Sequence, residues 1–302
     1  MDFVTIAREI YAGTQLPLYC CEKETFEIAE ISDRFRMIMI ENGSGVLEIN
    51  SNRIIFNAPE VFCIDRGERV RLLSPGDIKA FSVYFSPQAI NSALDFENVR
   101  GDREGMSSTE RSDCTCLHPF YHRDEAYHGK LSVGIFNFKT IKKLFESLAE
   151  ELAKQRDGYW PCRSRSFLIE LLFLFQKIHL GPNAQNEVLL NKTSGLVEPI
   201  VVYLHTNYEK KISVSDLSKL FNLNRTTLSE KFRLEMGMSA IAYLIDLRIR
   251  LSAMLLSDTM LSVAEISGRV GFNDITHFNR SFKKLMGHPP LEYRKINSWM
   301  LR

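Results

Sequence analysis

The sequence predicts an α+β multidomain protein with an N-terminal β-barrel, a helical dimerisation segment and a C-terminal all-α domain. Three observations predict this fold class. Short apolar segments separated by Gly and Pro fill the first part of the chain, a helical period begins near Phe138, and one helical unit occurs twice in the last third. A chain of 302 residues is also long for one hydrophobic core, so several domains are expected.

The N-terminal domain, residues 1–135, is expected to consist of short strands. Residues 34–42 and 46–50 alternate or run apolar, and Gly43-Ser44-Gly45 between them predicts a hairpin turn. Further strands are predicted in residues 53–85, where Gly and Pro separate the apolar runs. Closely spaced short strands are typical of a sandwich or a small barrel.

Residues 136–181 predict two paired helices. In the first helix, apolar residues recur at spacings of three and four with Lys and Glu opposite them. The second helix is too apolar to stand alone, so we expect the pair to meet its copy in a homodimer. Residues 182–194 are polar and bounded by Gly and Pro, which predicts a linker to a C-terminal domain at residues 195–302.

The charge of the chain is unevenly distributed. The net charge is only +1, but residues 210–302 contain 15 Lys and Arg against 8 Asp and Glu. This asymmetry indicates that the last third binds a polyanion. We expect neither a secretory signal nor a membrane span, and the six cysteines show no disulfide-framework spacing. A cytoplasmic protein with no membrane partner is the simplest interpretation.

The last third contains two copies of one unit, residues 213–243 and 262–293, with one residue inserted at the turn of the second. Each copy predicts a helix, a tight turn and a second helix, the arrangement that places the second helix in a major groove of DNA. The long helix predicted from Ser239 joins the copies. If it holds the second helices roughly 34 Å apart, they can enter successive major grooves. A single copy could be only a packing motif, but two copies in a basic region favour double-stranded DNA as a partner.

The same signals mark the helix ends in both copies. Each first helix begins with a capping box, each turn ends on an N-cap, and each second helix ends at a glycine. The capping boxes are Ser213 with Asp216 and Ser262 with Glu265, the N-caps are Asn224 and Asn273, and the glycines are Gly237 and Gly287.

The second helices, residues 225–236 and 274–286, are expected to contact bases with their outer face. Arg recognises guanine, Asn recognises adenine, and methyl groups of Thr or Ile contact thymine, so the second copy is the better base reader. The predicted base-contacting residues are Thr226, Ser229, Glu230, Ile275, Thr276, Asn279 and Arg280. The predicted phosphate-contacting residues are Ser213, Arg225, Lys231, Arg233, Ser262, Lys283, Lys284, Arg294 and Lys295.

The segment VAEISGRVGFNDITHFNRSFKKLMGHPPLEYR resembles the signature of the AraC/XylS family of bacterial transcription regulators. The shared features are an apolar helix, Gly-Phe, an aromatic residue before Arg-x-Phe-Lys, then Gly-x-x-Pro and Tyr-Arg. The resemblance implies a regulator with two base-contacting helices and RNA polymerase as a partner. It places the base contacts on Thr226, Ser229 and Glu230, then on Ile275, Thr276 and Arg280. Glu230 departs from the family, which usually has a basic or polar residue there.

The front half resembles, by its order of elements, the cupin-like sensory domain common in this family. That resemblance implies a ligand-responsive regulator with a small-molecule effector. Arg36, Arg69 and Arg71 could line a pocket for an anionic effector, or could be solvated or paired charges on outer strand faces. A constitutive activator with a purely dimerising barrel is one alternative. A metal-dependent cupin-type enzyme with a DNA-binding appendage is another, but no His precedes His118, so we expect no enzyme, catalytic residue, metal or cofactor.

One group of soft and imidazole ligands stands apart from these assignments. It comprises Cys114, Cys116, His118, His122 and His128. Their spacing fits no standard zinc template, because Cys-x-Cys is tight and no second pair follows. Packing or a surface loop is the simpler interpretation, and metal or redox sensing is the alternative.

Overall fold

The computed structural model describes residues 3–26, 32–73, 78–181 and 195–297. The chain divides into two compact units. Most of residues 3–181 form the first unit, and residues 195–297 form the second together with the short segments Ile55–Asn57 and Gly134–Phe136. The predicted linker, residues 182–194, lies outside the described residues. Within the described ranges, no helix is both long and apolar enough to cross a membrane.

The first unit combines short strands with helices. Its strands are β1 (Thr5–Ile6), β2 (Gln15–Leu16), β3 (Leu18–Cys21), β4 (Phe35–Asn42), β5 (Ser44–Ile49), β6 (Asn52–Asn57), β7 (Glu60–Ile64), β8 (Val70–Leu72), β9 (Lys79–Phe85) and β10 (Lys130–Leu131). Its helices are α1 (Ser108–Cys116), α2 (His118–Tyr121), α3 (Ile135–Lys154) and α4 (Trp160–His179), with a short 3-10 turn at Pro87–Ala89.

The predicted closed barrel is wrong. The described strands form a five-stranded sheet in the order β10-β7-β4-β9-β3, a three-stranded sheet in the order β6-β5-β8, and the pair β1-β2. The predicted hairpin at Gly43 is also wrong, because β4 and β5 lie in different sheets. Gly43 has a φ of 100°, a conformation that glycine adopts readily, and the chain passes there from one sheet to the other.

Strand β4 is covered on both faces. All of residues 35–40 are buried. Because successive side chains of a strand point to opposite faces, Phe35, Met37 and Met39 share one face and join a core that also contains residues of α3 and α4. The opposite face is also closed, since Ile38 and Ile40 are fully buried. The sheet is therefore an internal layer of the first unit.

Helices α3 and α4 bury their apolar stripes in this same core. Helix α4 packs against α1, α2 and β10. Much of the apolar surface that suggested dimerisation is thus covered within the unit, although Phe173 of α4 remains 46% exposed. The dimer stays a prediction.

Residues 195–297 contain only helices and the loops between them, which confirms the predicted all-α C-terminal domain. Its helices are α5 (Val197–Thr206), α6 (Val214–Leu220), α7 (Arg225–Met236), α8 (Ala240–Asp258), α9 (Val263–Arg269), α10 (Ile275–Met286) and α11 (Pro290–Asn297). The pairs α6/α7 and α9/α10 are the two copies of the predicted unit, and α8 joins them.

Candidate nucleic-acid interface

Both first helices begin as predicted. The Ser213 hydroxyl accepts a hydrogen bond from the backbone N–H of Asp216, whose carboxylate accepts one from the Ser213 N–H. Ser262 and Glu265 form the same reciprocal pair at the start of α9. Each capping box satisfies N–H groups that the first turn leaves unpaired, so the ends of α6 and α9 are set by local sequence.

The second helices are bounded by local signals as well. Asn224 Oδ1 accepts from the Thr226 N–H at 2.9 Å and caps α7. The predicted cap Asn273 is wrong: Asp274 caps α10, with Oδ1 at 2.8 Å from the Thr276 N–H. The residue inserted in the second turn shifts the cap by one position. Both helices end at a left-handed glycine, Gly237 or Gly287.

Two aromatic or aliphatic anchors fix the orientation of each second helix. Leu228 and Phe232 of α7 are 1% and 0% exposed, and Phe278 and Phe282 of α10 are fully buried. The Phe282 ring lies 5.4 Å from the ring of Tyr293 in α11, measured between centroids. With this face packed in the core, the opposite face of each helix is presented to solvent.

The side chains predicted to contact bases all lie on the exposed face. They are Thr226, Ser229, Glu230, Ile275, Thr276, Asn279 and Arg280. Ile275 is 42% exposed at the first residue of α10, although it is a large apolar side chain. Arg280 makes no hydrogen bond or ion pair within the described ranges, so its guanidinium is available to donate to an external acceptor.

Most predicted phosphate contacts are exposed as well. These are Ser213, Arg225, Lys231, Arg233, Ser262, Lys283, Lys284 and Lys295. Arg294 differs from them. Its Nε donates to the carbonyl of Leu256 at 3.2 Å, its guanidinium also donates to the carbonyl of Leu261, and burial lowers its pKa. Arg294 thus holds the end of α8 and the loop before α9, and is not free to bind a phosphate.

Arg248, which the sequence did not single out, connects the loop before α6 with the second helix-turn-helix copy. It lies in α8 and is only 9% exposed. Its Nε and a terminal guanidinium nitrogen donate to the carbonyls of Tyr208 and Lys210, each at 2.7 Å, in the loop before α6. The same guanidinium lies 5.7 Å from the ring centroid of Phe272, in the turn of the second helix-turn-helix copy. One side chain therefore joins the loop before the first copy to the turn of the second copy.

Gly271 brings the turn of the second copy into direct contact with the loop before α6. Its φ is +89°, and a Cβ at this position would lie 2.6 Å from the carbonyl oxygen of Glu209. No side chain fits at that distance, so the turn of the second copy packs backbone to backbone on the loop before α6. Gly271 corresponds to Asn222 of the first copy, which also has a positive φ, 51°.

Comparison with known proteins also indicates a helix-turn-helix domain in the last third of the chain. The helix-turn-helix domain family matches residues 217–296. The uncharacterized HTH-type transcriptional regulator YdiP of Escherichia coli K12 is 30% identical over 157 residues, which are 52% of each chain. A putative AraC-like transcription regulator of Streptomyces lividans is 31% identical over 106 residues, 34% of this chain and 35% of that protein. The chain is therefore similar, over part of its length, to AraC-like transcription regulators.

A further relative is the Msm operon regulatory protein of Streptococcus mutans. It is 34% identical over 105 residues, which are 35% of this chain and 38% of that protein. The chain spans about half of the length of YdiP and less of the other two relatives. The match to the helix-turn-helix domain family lies in the C-terminal domain.

The three predicted effector arginines have different environments in the first unit. Arg36 of β4 is buried, and its guanidinium lies 2.6 Å from Glu24 Oε2. Arg69 and Arg71 are exposed, and Arg71 belongs to β8 in the other sheet, 3.5 Å from Glu48. They do not line one buried pocket with Arg36. The alternative of solvated or paired charges describes Arg69 and Arg71.

The two cysteines of the predicted ligand group serve packing. Cys114 and Cys116 are buried in the core of the first unit. Burial raises the pKa of both thiols, to about 12 for Cys116, whose Sγ donates to the carbonyl of Asp113 at 2.9 Å. Neutral thiols are poor nucleophiles and poor ligands, so these two cysteines are not a reactive pair. His118 and His122 lie closer to solvent, as does His128.

Proposed function

We propose that this protein is a sequence-specific DNA-binding regulator of transcription. One observation carries this proposal: α7 and α10 both bury their aromatic or aliphatic face and expose every predicted base-contacting side chain. An exposed polar helix face with a helix-turn-helix frame is the geometry that reads base edges in a major groove. The names of its relatives as transcriptional regulators support the same function.

The two helices would enter successive major grooves on one face of the duplex. Helix α8 has 19 residues, and at 1.5 Å per residue it is roughly 28 Å long, close to one turn of DNA. Arg248 and Gly271 both hold the second copy against the loop that leads into α6, which favours a fixed spacing over a flexible one. A rigid pair of helices with this spacing suits two neighbouring grooves.

Helix α10 would supply most of the specificity and affinity. Arg280 can donate two hydrogen bonds to guanine, Asn279 can recognise adenine, and Ile275 can contact a thymine methyl. Lys283 and Lys284 follow on the exposed face of the same helix. Helix α7 instead exposes Glu230, which can accept from cytosine but repels phosphate. The contacts in the two grooves would therefore contribute unequally to specificity and affinity.

The first unit would sense a small-molecule effector, as in the cupin-like domains that it resembles. Arg36 is buried but already paired with Glu24 and Ser82, so an anionic effector would have to displace the Glu24 carboxylate from it. An effector that binds two arrangements of the protein unequally shifts their populations. Phe173 of α4 is the exposed apolar residue that we assign to a homodimer contact. RNA polymerase as a partner and a cytoplasmic location follow from the family resemblance, and no catalytic activity is proposed.

Selection of binding sites from random duplex DNA tests this function. The full-length chain should enrich one motif and bind it with a Kd of about 10⁻⁸ to 10⁻¹¹ M at physiological salt. Random duplexes should bind at least roughly 10³-fold more weakly. Equal affinity for selected and random duplexes would contradict sequence-specific regulation.

A further inference from the structure

The loop before α6 is held by two different elements of the helical domain. Arg248 of α8 donates to the carbonyls of Tyr208 and Lys210 in this loop, each at 2.7 Å. Between these two residues, the Glu209 carbonyl oxygen lies where a Cβ on Gly271 would come within 2.6 Å of it. Three consecutive residues of one loop therefore meet both α8 and the turn of the second copy.

The contacts of Arg248 require a guanidinium group. Arg248 is only 9% exposed, and burial lowers its pKa. Its Nε and Nη2 donate to two different carbonyls, which the rigid fork of an arginine can do and the single ammonium group of a lysine does less well. Hydrogen bonds from a charged donor at this distance are short and strong. Arg248 is therefore a fixed connection and not a solvated surface charge.

Helix α8 passes from the core of the first copy to that of the second near Arg248. Before Arg248, the ring of Tyr243 lies 5.8 Å from the ring of Phe232, which anchors α7. After Arg248, Ile249 and Leu256 belong to the hydrophobic cluster that contains both anchors of α10. Arg248 thus lies at the junction between the two halves of the domain.

A second path between α7 and α10 crosses this junction without following α8. On one side, the Arg248 guanidinium lies 5.7 Å from the ring of Phe272, and that ring lies 5.2 Å from the ring of Phe278, an anchor of α10. On the other side, the loop held by Arg248 runs directly into Ser213, the N-cap of α6, and α6 packs on α7. Two separate connections prevent the copies from turning relative to each other, which one helix alone would allow.

We propose that Arg248 is the positioning residue that fixes the distance and the rotation between α7 and α10. This inference rests on the proposed function, because it concerns how two reading helices are held on one duplex. Its consequence is that binding depends strictly on the separation of the two half-sites. Each base pair added between them shifts the second half-site by about 3.4 Å and turns it by roughly 34° around the duplex. A rigid pair of helices cannot follow that movement, whereas a loosened pair can.

Fluorescence anisotropy with the full-length chain tests this role, on the selected duplex and on the same duplex with one base pair inserted between its half-sites. Two linked sites bind roughly 10²- to 10⁴-fold more tightly than one, and this gain is lost when the geometry forbids both contacts. The wild type should therefore lose at least about tenfold in affinity on insertion. Arg248→Lys should bind the original duplex more weakly and lose less than about threefold on insertion, because its two copies adjust independently.

Arg294→Lys is the matched control. Arg294 also donates to two carbonyls, but these belong to Leu256 in α8 and Leu261 in the loop before α9. The same substitution there weakens a comparable pair of hydrogen bonds and leaves the loop before α6 untouched. Arg294→Lys should lower the midpoint of urea unfolding and still show the full loss of affinity on insertion.

Hydrogen exchange of the full-length chain without DNA gives an independent measurement. Arg248→Lys should speed the exchange of backbone amides in residues 207–212 and in the turn before α10. Arg294→Lys should instead speed exchange in the loop before α9 and in α11. The two substitutions thus loosen different connections of the same domain.

The assigned role is wrong in any of three cases. They are a wild type whose affinity the inserted base pair leaves unchanged, an Arg248→Lys variant that keeps the full loss on insertion, and an Arg294→Lys variant that loses the spacing dependence equally. Failure of the proposed function looks different, because the wild type would then bind selected and random duplexes equally. The exchange measured without DNA would still decide whether Arg248 holds the copies together, and unchanged exchange in Arg248→Lys would overturn that role.

Discussion

Two arginines that the sequence assigns to DNA are predicted to behave in opposite ways when changed to alanine. Arg280 is exposed on α10 and makes no hydrogen bond or ion pair within the described ranges. Arg294 is half-buried in α11 and donates to the carbonyls of Leu256 and Leu261. The change at Arg280 should therefore affect DNA recognition, and the change at Arg294 should affect the stability of the fold.

The magnitudes follow from these environments. Arg280→Ala removes no contact within the protein, so the free energy of unfolding should change by less than about 0.5 kcal/mol. A bidentate contact to guanine contributes about 1–3 kcal/mol, which is a roughly 5- to 150-fold loss of affinity for the selected site. Arg294→Ala removes charged hydrogen bonds to carbonyls, each worth about 1.5–3 kcal/mol when buried. Because Arg294 is half-exposed, we expect the whole loss of stability to lie within that range.

Fluorescence anisotropy and urea unfolding separate the two effects. For Arg280→Ala, affinity should fall on the selected duplex and much less on a random one, with an unchanged unfolding midpoint. For Arg294→Ala, the midpoint should fall, and affinity measured well below it should remain near that of the wild type. An equal loss on both duplexes for Arg280→Ala would make Arg280 a phosphate contact, and weakened DNA binding by a fully stable Arg294→Ala would refute its structural role.

Three further predictions concern the same domain. Gly271→Ala should lower the free energy of unfolding by about 2–5 kcal/mol, because the added Cβ would meet the Glu209 carbonyl at a left-handed φ. Gly287→Ala has open space around the added Cβ and should lower the free energy of unfolding by about 1–2 kcal/mol. Equal losses in urea unfolding would contradict this difference. Lys283→Ala should reduce the slope of log affinity against log salt concentration by about 1, and an unchanged slope would remove it from the phosphate contacts. The hydrogen bond from the Thr276 N–H lowers the pKa of Asp274. The stability contributed by this cap is therefore present above the unfolded pKa of about 3.9 and is lost as pH falls through the folded pKa. Asp274→Asn should remove this part of the acid dependence in thermal unfolding, and an unchanged profile would contradict the assignment.

The helical domain could be predicted closely because its helix ends are set locally. Gly237, Gly287 and Asn224 stand within one residue of the ends that they determine. The exception is Asn273, where the inserted residue moved the cap to Asp274. Local side chain to backbone hydrogen bonds and the left-handed preference of glycine are visible in sequence.

Contacts between distant residues could not be predicted in this way. Arg248 is an ordinary charged residue of an amphipathic helix by pattern, and its burial against the Tyr208 and Lys210 carbonyls depends on how the copies pack. The open sheets of the first unit depend on strand pairing, which alternation does not determine. The unpredicted α1 begins at a capping box, Ser107 with Glu110, that the sequence does contain. His179 meets His118 only in the folded unit.

The central claim is that α7 and α10 occupy neighbouring major grooves at a fixed spacing. Hydroxyl-radical footprinting of the full-length protein on its selected duplex tests this claim most directly. Each bound chain should protect two windows about 10 base pairs apart on one face of the DNA, with the stronger protection at the window lost in Arg280→Ala. A single protected window per chain, or two windows on opposite faces of the duplex, would contradict it.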